Sequence, residues 1–174
     1  MPRNQSAALP IAYIALRLLI VLNWLGGAAI FALLMATIIA PEWTFTALGI
    51  PPADWIRSVI AGLQLVAALG IVAVPLNYMI LKRMLAMVVT VRKGDPFVAA
   101  NAYRLQAIAW LLLALQILSM IIGAIGKAIS TVAHPVHFDA GFSVNGWLAV
   151  LMAFILARVF AEGTLMREDL EGTI

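Results

Sequence analysis

LLIVLNWLGGAAIFALLMATIIAP, residues 18–41, contains no Asp, Glu, Lys or Arg. Three further runs share that property: Ser58–Leu81, Leu105–Gly126 and Ala140–Ala157. An α-helix rises about 1.5 Å per residue, so about 20 apolar residues cross a hydrocarbon core of roughly 30 Å. Every run reaches or approaches that length, and short charged segments divide them. The pattern predicts an all-α membrane protein with four transmembrane helices, at about 14–40, 56–81, 105–127 and 143–161, forming a single four-helix transmembrane domain over 1–174.

The composition agrees. The chain is 64% hydrophobic and 11% charged, against about a quarter charged in a soluble domain. Four spans and their loops occupy nearly all of it, leaving no room for a separate soluble domain. The net charge of +3 is no nucleic-acid footprint, because the basic residues sit at the membrane edge, where anionic lipid accounts for them. No direct nucleic-acid binding is expected. The chain has no Cys, which removes disulfides, thiolate metal sites and cysteine catalysis. Arg3 followed by an apolar stretch resembles a signal peptide, but the run from Leu18 is far longer than an h-region and reads as a retained first span.

Basic residues assign the topology. Arg3, Arg17, Lys82, Arg83, Arg92, Lys93, Arg104, Arg158 and Arg167 fall on one side, and only Arg57 and Lys127 on the other. Both termini and the central loop of a multi-pass membrane protein are therefore expected in the cytoplasm. Trp43, Phe45, Trp55, Phe138, Phe142 and Trp147 suit an interfacial aromatic belt at the opposite surface. The first outer loop, 41–54, with Pro51 and Pro52, is expected to lie along that surface.

Within the spans, Ala28, Ala32, Ala36 and Ala40 form a smooth ridge. It is read as packing inside the molecule, with a dimer seam, and so a homo-oligomer, as the alternative. Asn23, Gln64, Asn77, Gln116 and Ser119 are intramembrane polar residues expected to pair across helices, for about 1 kcal/mol each. No Asp, Glu or His lies at a span centre, which argues against a proton relay, an ion site or a haem-binding bundle. His134 and His137, with Asp139 nearby, have the chemistry to bind zinc, but Pro135 between them opposes a helix that would align them, and no metal site is expected.

The segment 82–104 is predicted to be a protruding helical hairpin. Met84, Leu85, Met87, Val88, Val89 and Val91 continue the second helix beyond Lys82 and Arg83. Gly94 suits the left-handed residue that ends a helix, Asp95 the next N-cap and Pro96 the first helical position. Past Arg158 the fourth helix keeps its spacing through Val159, Phe160, Leu165, Met166 and Leu170. Three apolar extensions thus enter water. They must close on each other or be covered by a partner.

The same residues carry a family resemblance. Gly94-Asp95-Pro96-Phe97 followed by Asn101 and Arg104-Leu105, and the tail Val159-Phe160-Ala161-Glu162-Gly163 with Leu165 and Arg167-Glu168-Asp169-Leu170-Glu171, resemble the two signatures of the bacterial domain-of-unknown-function family 2975. Thr173-Ile174 also fits, while Gly172 stands where that family often has a β-branched or apolar residue. The resemblance implies a four-span membrane protein encoded beside a small helix-turn-helix regulator, with the turn and tail as the partner surface. That surface comprises Gly94, Asp95, Pro96, Phe97, Asn101, Arg104, Phe160, Glu162, Gly163 and Arg167.

The expected role is therefore non-enzymatic and regulatory: docking or sequestering a cytosolic helix-turn-helix regulator, with the lipid bilayer as the other partner and no cofactor. A small oligomeric transporter or channel is the alternative, and would need a water-filled cavity lined by Gln64, Asn77 and Gln116. A lipid-modifying enzyme would need an acid/base or nucleophile cluster. Asp95 and Glu162 are the candidates there, and each has a structural role, so no catalytic residue is assigned.

Overall fold

The computed structural model describes residues 8–47, 56–129 and 141–171. His134, His137, Asp139, Pro51, Pro52 and Trp55 lie outside them. Among the described residues five helices form: α1 Ala8–Ile39, α2 Pro41–Ala47, α3 Ile56–Arg92, α4 Ala99–Ile129 and α5 Val144–Glu171. All but α2 are long and apolar enough to cross a membrane, so the fold is that of an all-α, multi-pass membrane protein.

The helices pack in chain order. α1 lies on α3, α3 on α4 and α4 on α5, while among the described residues α1 and α5 do not approach each other. The expected four-helix bundle is thus open along one side. α4, in the middle, has buried residues on both flanks, among them Ile108, Ala109 and Leu118. α1, at the edge, buries only Leu16 and Thr37.

Small and polar residues set each seam. On α1, Gly27 sits so close to Val74 that a Cβ there would come within 2.9 Å of Val74 Cγ1. Asn23 donates to the Val74 carbonyl at 3.1 Å, and Gln64 donates back to the Thr37 carbonyl at 3.3 Å. The Trp24 and Tyr78 rings meet at a tilt of 57°, with centroids 5.6 Å apart. The alanine ridge does not form this seam, since Ala28, Ala32 and Ala40 are exposed and Ala36 is half-buried. The reason is rotational. The seam follows the polar pair and Gly27, about a quarter turn away, because hydrogen bonds fix the helix face where apolar side chains are content in lipid.

Between α3 and α4, Gly62 meets Ile129 at one end and Thr90 meets Asn101 at the other. Between α4 and α5, Trp110 meets Phe154 edge to face, and Gln116 lies against Gly146. Ser143 caps α5, its hydroxyl accepting the Gly146 N–H at 3.2 Å.

These contacts fix the relative heights of the antiparallel helices. Carried across the three seams, they place Arg17, Lys82, Arg83, Gln106 and Arg158 within roughly one helical turn of height of each other. From Arg17 to Ile39, α1 then rises roughly 33 Å, close to the thickness of a hydrocarbon core. The basic belt marks one membrane boundary. Beyond it, at the end carrying the α3–α4 turn, α3 continues roughly 14 Å to Arg92 and α5 roughly 20 Å to Glu171. α1 adds an extension of its own, from Arg17 back to Ala8.

Candidate functional site

The turn between α3 and α4 is built from its cap outward. Gly94 has φ +86°, a conformation that a side chain resists. Its N–H donates to the Val91 carbonyl at 3.0 Å, and the Asp95 N–H reaches back to the Thr90 carbonyl at 3.3 Å. That pair of bonds is the Schellman closure of a helix. The chain then reverses, and α4 begins at Ala99. Asp95 and Pro96 accordingly precede the helix and are not its N-cap and first residue, as their order in the sequence leads one to expect.

What holds the turn to both helices is Asn101. It is fully buried, at 0% exposure. Its amide Nδ2 donates to Thr90 Oγ1 at 2.8 Å and to the Pro96 carbonyl at 2.9 Å. Its Oδ1 accepts from Arg104 at 2.7 Å. One amide therefore ties the end of α3, the turn and the start of α4 together. Thr90, whose hydroxyl also lies 2.7 Å from the Met87 carbonyl, completes the group.

The tail of α5 closes on this turn. Arg167 forms an ion pair with Asp95 across 72 positions of sequence. Phe97 and Phe160 face one another with centroids 5.2 Å apart. Beside them Gly163 leaves a seat for the Phe97 ring: a Cβ there would stand 3.1 Å from Phe97 Cδ1. Arg158 and Glu162 pair along one turn of α5. The ten turn and tail residues thus fall into one clasp and its margin, in which Gly94, Asn101 and Gly163 shape the backbone and Asp95, Phe97, Phe160 and Arg167 make the closure.

The intramembrane polar set behaves differently. Asn23 and Gln64 do bridge α1 and α3. Asn77 does not bridge helices; it bonds to the Ala73 carbonyl of its own helix at 3.1 Å and is exposed. Gln116 is buried in another seam, where its Nε2 and the indole N–H of Trp147 have no partner among the described residues. Gln64, Asn77 and Gln116 therefore do not line a common cavity. Ser119 accepts the Gly141 N–H at 3.2 Å.

The clasp also exposes residues that sequence reasoning did not single out for a site. Tyr103 on α4 is 72% exposed, and Met166 and Leu165 on α5 are 62% and 55% exposed. All three lie beyond the basic belt. Tyr13 of α1 lies at about the height of Tyr103 and is flanked by two guanidiniums, Arg17 at 4.8 Å and Arg92 at 5.4 Å. Helical spacing from Arg17 gave a signal for Tyr13, since i,i+4 pairs share a face. Nothing local could have announced the reach of Arg92 to it.

A family model matches residues 40–174, α2 through α5 with the turn and the tail. Its description is Protein of unknown function (DUF2975), and the chain belongs to that family. No curated protein matches the chain, and neither does any solved structure.

Proposed function

We propose that this is a non-enzymatic regulatory protein of a bacterial inner membrane, with both termini and the α3–α4 turn in the cytoplasm. There the clasped turn and tail dock a small helix-turn-helix regulator and hold it away from DNA. The observation that carries this reading is the pairing of exposed apolar residues with carboxylates on one arm. Leu165 and Met166 stand clear of the basic belt as an adjacent exposed pair, and contiguous apolar patches mark interaction sites. Around them α5 carries Glu162, Glu168, Asp169 and Glu171, whereas α1 and α3 carry no carboxylate at all. An acidic and apolar arm suits a DNA-binding domain, whose working face is basic. The nature of the partner follows from the resemblance of the turn and tail to the family's signatures.

The docking equilibrium is set by whatever distinguishes clasped from open turn, since a signal acts only through its differential affinity for two states. A photocrosslinking residue at Phe97 or Arg167 in native membranes, followed by mass spectrometry, tests the proposal. A cytosolic DNA-binding protein among the adducts supports it. Adducts confined to this chain count against it and leave the clasp as a purely structural closure. The transporter alternative has no comparable support, because the three polar residues it needs sit apart.

A further inference from the structure

A groove of about 530 Å³ runs along the outer side of the α4–α5 seam, and nothing in the clasp fills it. Its floor is alanine: Ala102, Ala157 and Ala161. Small residues on both helices leave a furrow where larger ones would have met. One wall carries Tyr103 and Gln106, the other Arg158. The edge contact of Trp110 with Phe154 fixes the register, so that Arg158 stands opposite Gln106, four residues further on each helix. Phe154 closes the furrow on the membrane side.

The height of the groove decides what it holds. Arg158 belongs to the basic belt that marks the membrane boundary, Gln106 lies at the same height, and Tyr103 lies one turn beyond it. A furrow with hydrogen-bond donors at headgroup depth and aromatic rings just inside the hydrocarbon matches the two parts of one phospholipid. Arg158 pairs with Glu162, but Glu162 does not line the groove. A guanidinium has five N–H donors, so those left free by that pair remain for a phosphate.

We propose that this groove binds a single glycerophospholipid of the leaflet at the turn end. Its phosphodiester is held by Arg158 and the Tyr103 hydroxyl, and one acyl chain passes over Phe154 and Trp110. Such a lipid would wedge along the helix that bears the clasp, on the opposite side from Phe97. The site stands independently of whether a regulator docks.

Native mass spectrometry of the full chain in detergent, titrated with dioleoyl phosphatidylglycerol or dioleoyl phosphatidylcholine, tests this. One lipid is expected to remain bound to each chain. Arg158→Ala should weaken its retention about tenfold, the effect of one charge-assisted hydrogen bond. Arg83→Ala, at the same height on α3 but outside the groove, should leave it unchanged. Ala161→Leu fills the furrow without altering charge and should also lose the lipid. Equal retention of both lipids assigns recognition to the phosphodiester, and preference for phosphatidylglycerol adds the net headgroup charge; both support the site. Retention by both groove variants at the original level overturns it. So does an equal loss on Arg83→Ala, which would reduce the binding to general attraction by the basic belt.

Discussion

Asn101 is the largest side chain that the described fold buries completely, and it is an amide in a chain rich in hydrocarbon. Its cost of burial is offset by three hydrogen bonds at its two ends. Replacing it with Ala takes this partner from the Pro96 carbonyl and from Arg104, at about 1–3 kcal/mol. Thermal unfolding followed by circular dichroism should show that loss. Asn77→Ala, at an exposed site bonded only within its own helix, should leave the midpoint nearly where it was. Gly163 makes a second case. A Val there collides with the Phe97 ring, so the turn should swing off α5. Crosslinking of Asp95→Cys to Arg167→Cys by a short bis-maleimide reports this: it should be efficient with Gly163 in place and much weaker with Gly163→Val. At this scale the sequence was half legible. Gly94 announced its left-handed conformation because few residues tolerate one. Asp95 read as a cap because caps are local, whereas its partner lies far down the chain on another helix.

For the single helix, the informative case is α1. Its apolar residues run all the way round, so hydrophobicity made the span legible but could not say which face meets α3. In lipid an apolar face needs no protein cover. Two features do distinguish the faces, a hydrogen-bonding amide and a glycine, and both point at α3. Gly27→Leu should force α1 off Val74, while Gly26→Leu, which meets nothing within 4 Å, should be tolerated. A cysteine pair at Trp24→Cys and Tyr78→Cys measures the outcome: crosslinking should fall sharply in the Gly27 variant and persist in the Gly26 variant. The alanine ridge was misleading for the same reason. Small residues permit close approach without demanding it, and here the demand came from Asn23 and Gln64.

Across the whole molecule the four-span architecture was legible from charge-free runs alone, because crossing a bilayer imposes length and composition directly. The order of packing was not, since each seam rests on a few contacts between residues remote in sequence. The open side between α1 and α5 gives a direct check. Leu25→Cys on α1 and Leu151→Cys on α5 lie at similar heights on unshared faces and should form no disulfide within a chain. Trp110→Cys and Phe154→Cys should form one readily. A disulfide within the chain at the first pair would mean that the row closes into a ring. One between two chains would mean that a second copy covers the open side.

The ion pair between Asp95 and Arg167 also imposes an order on biosynthesis. When the ribosome releases the turn, the arginine that will hold it has not been made. At the usual pace of translation, the 72 positions between them take roughly 4–14 s. At the start of that interval only α1 and α3 of the membrane helices exist, and α4 is made while the turn is still unlatched. Only a chain synthesised past Arg167 can fasten it, so the clasp distinguishes molecules that carry this arm of α5 from those cut short before it.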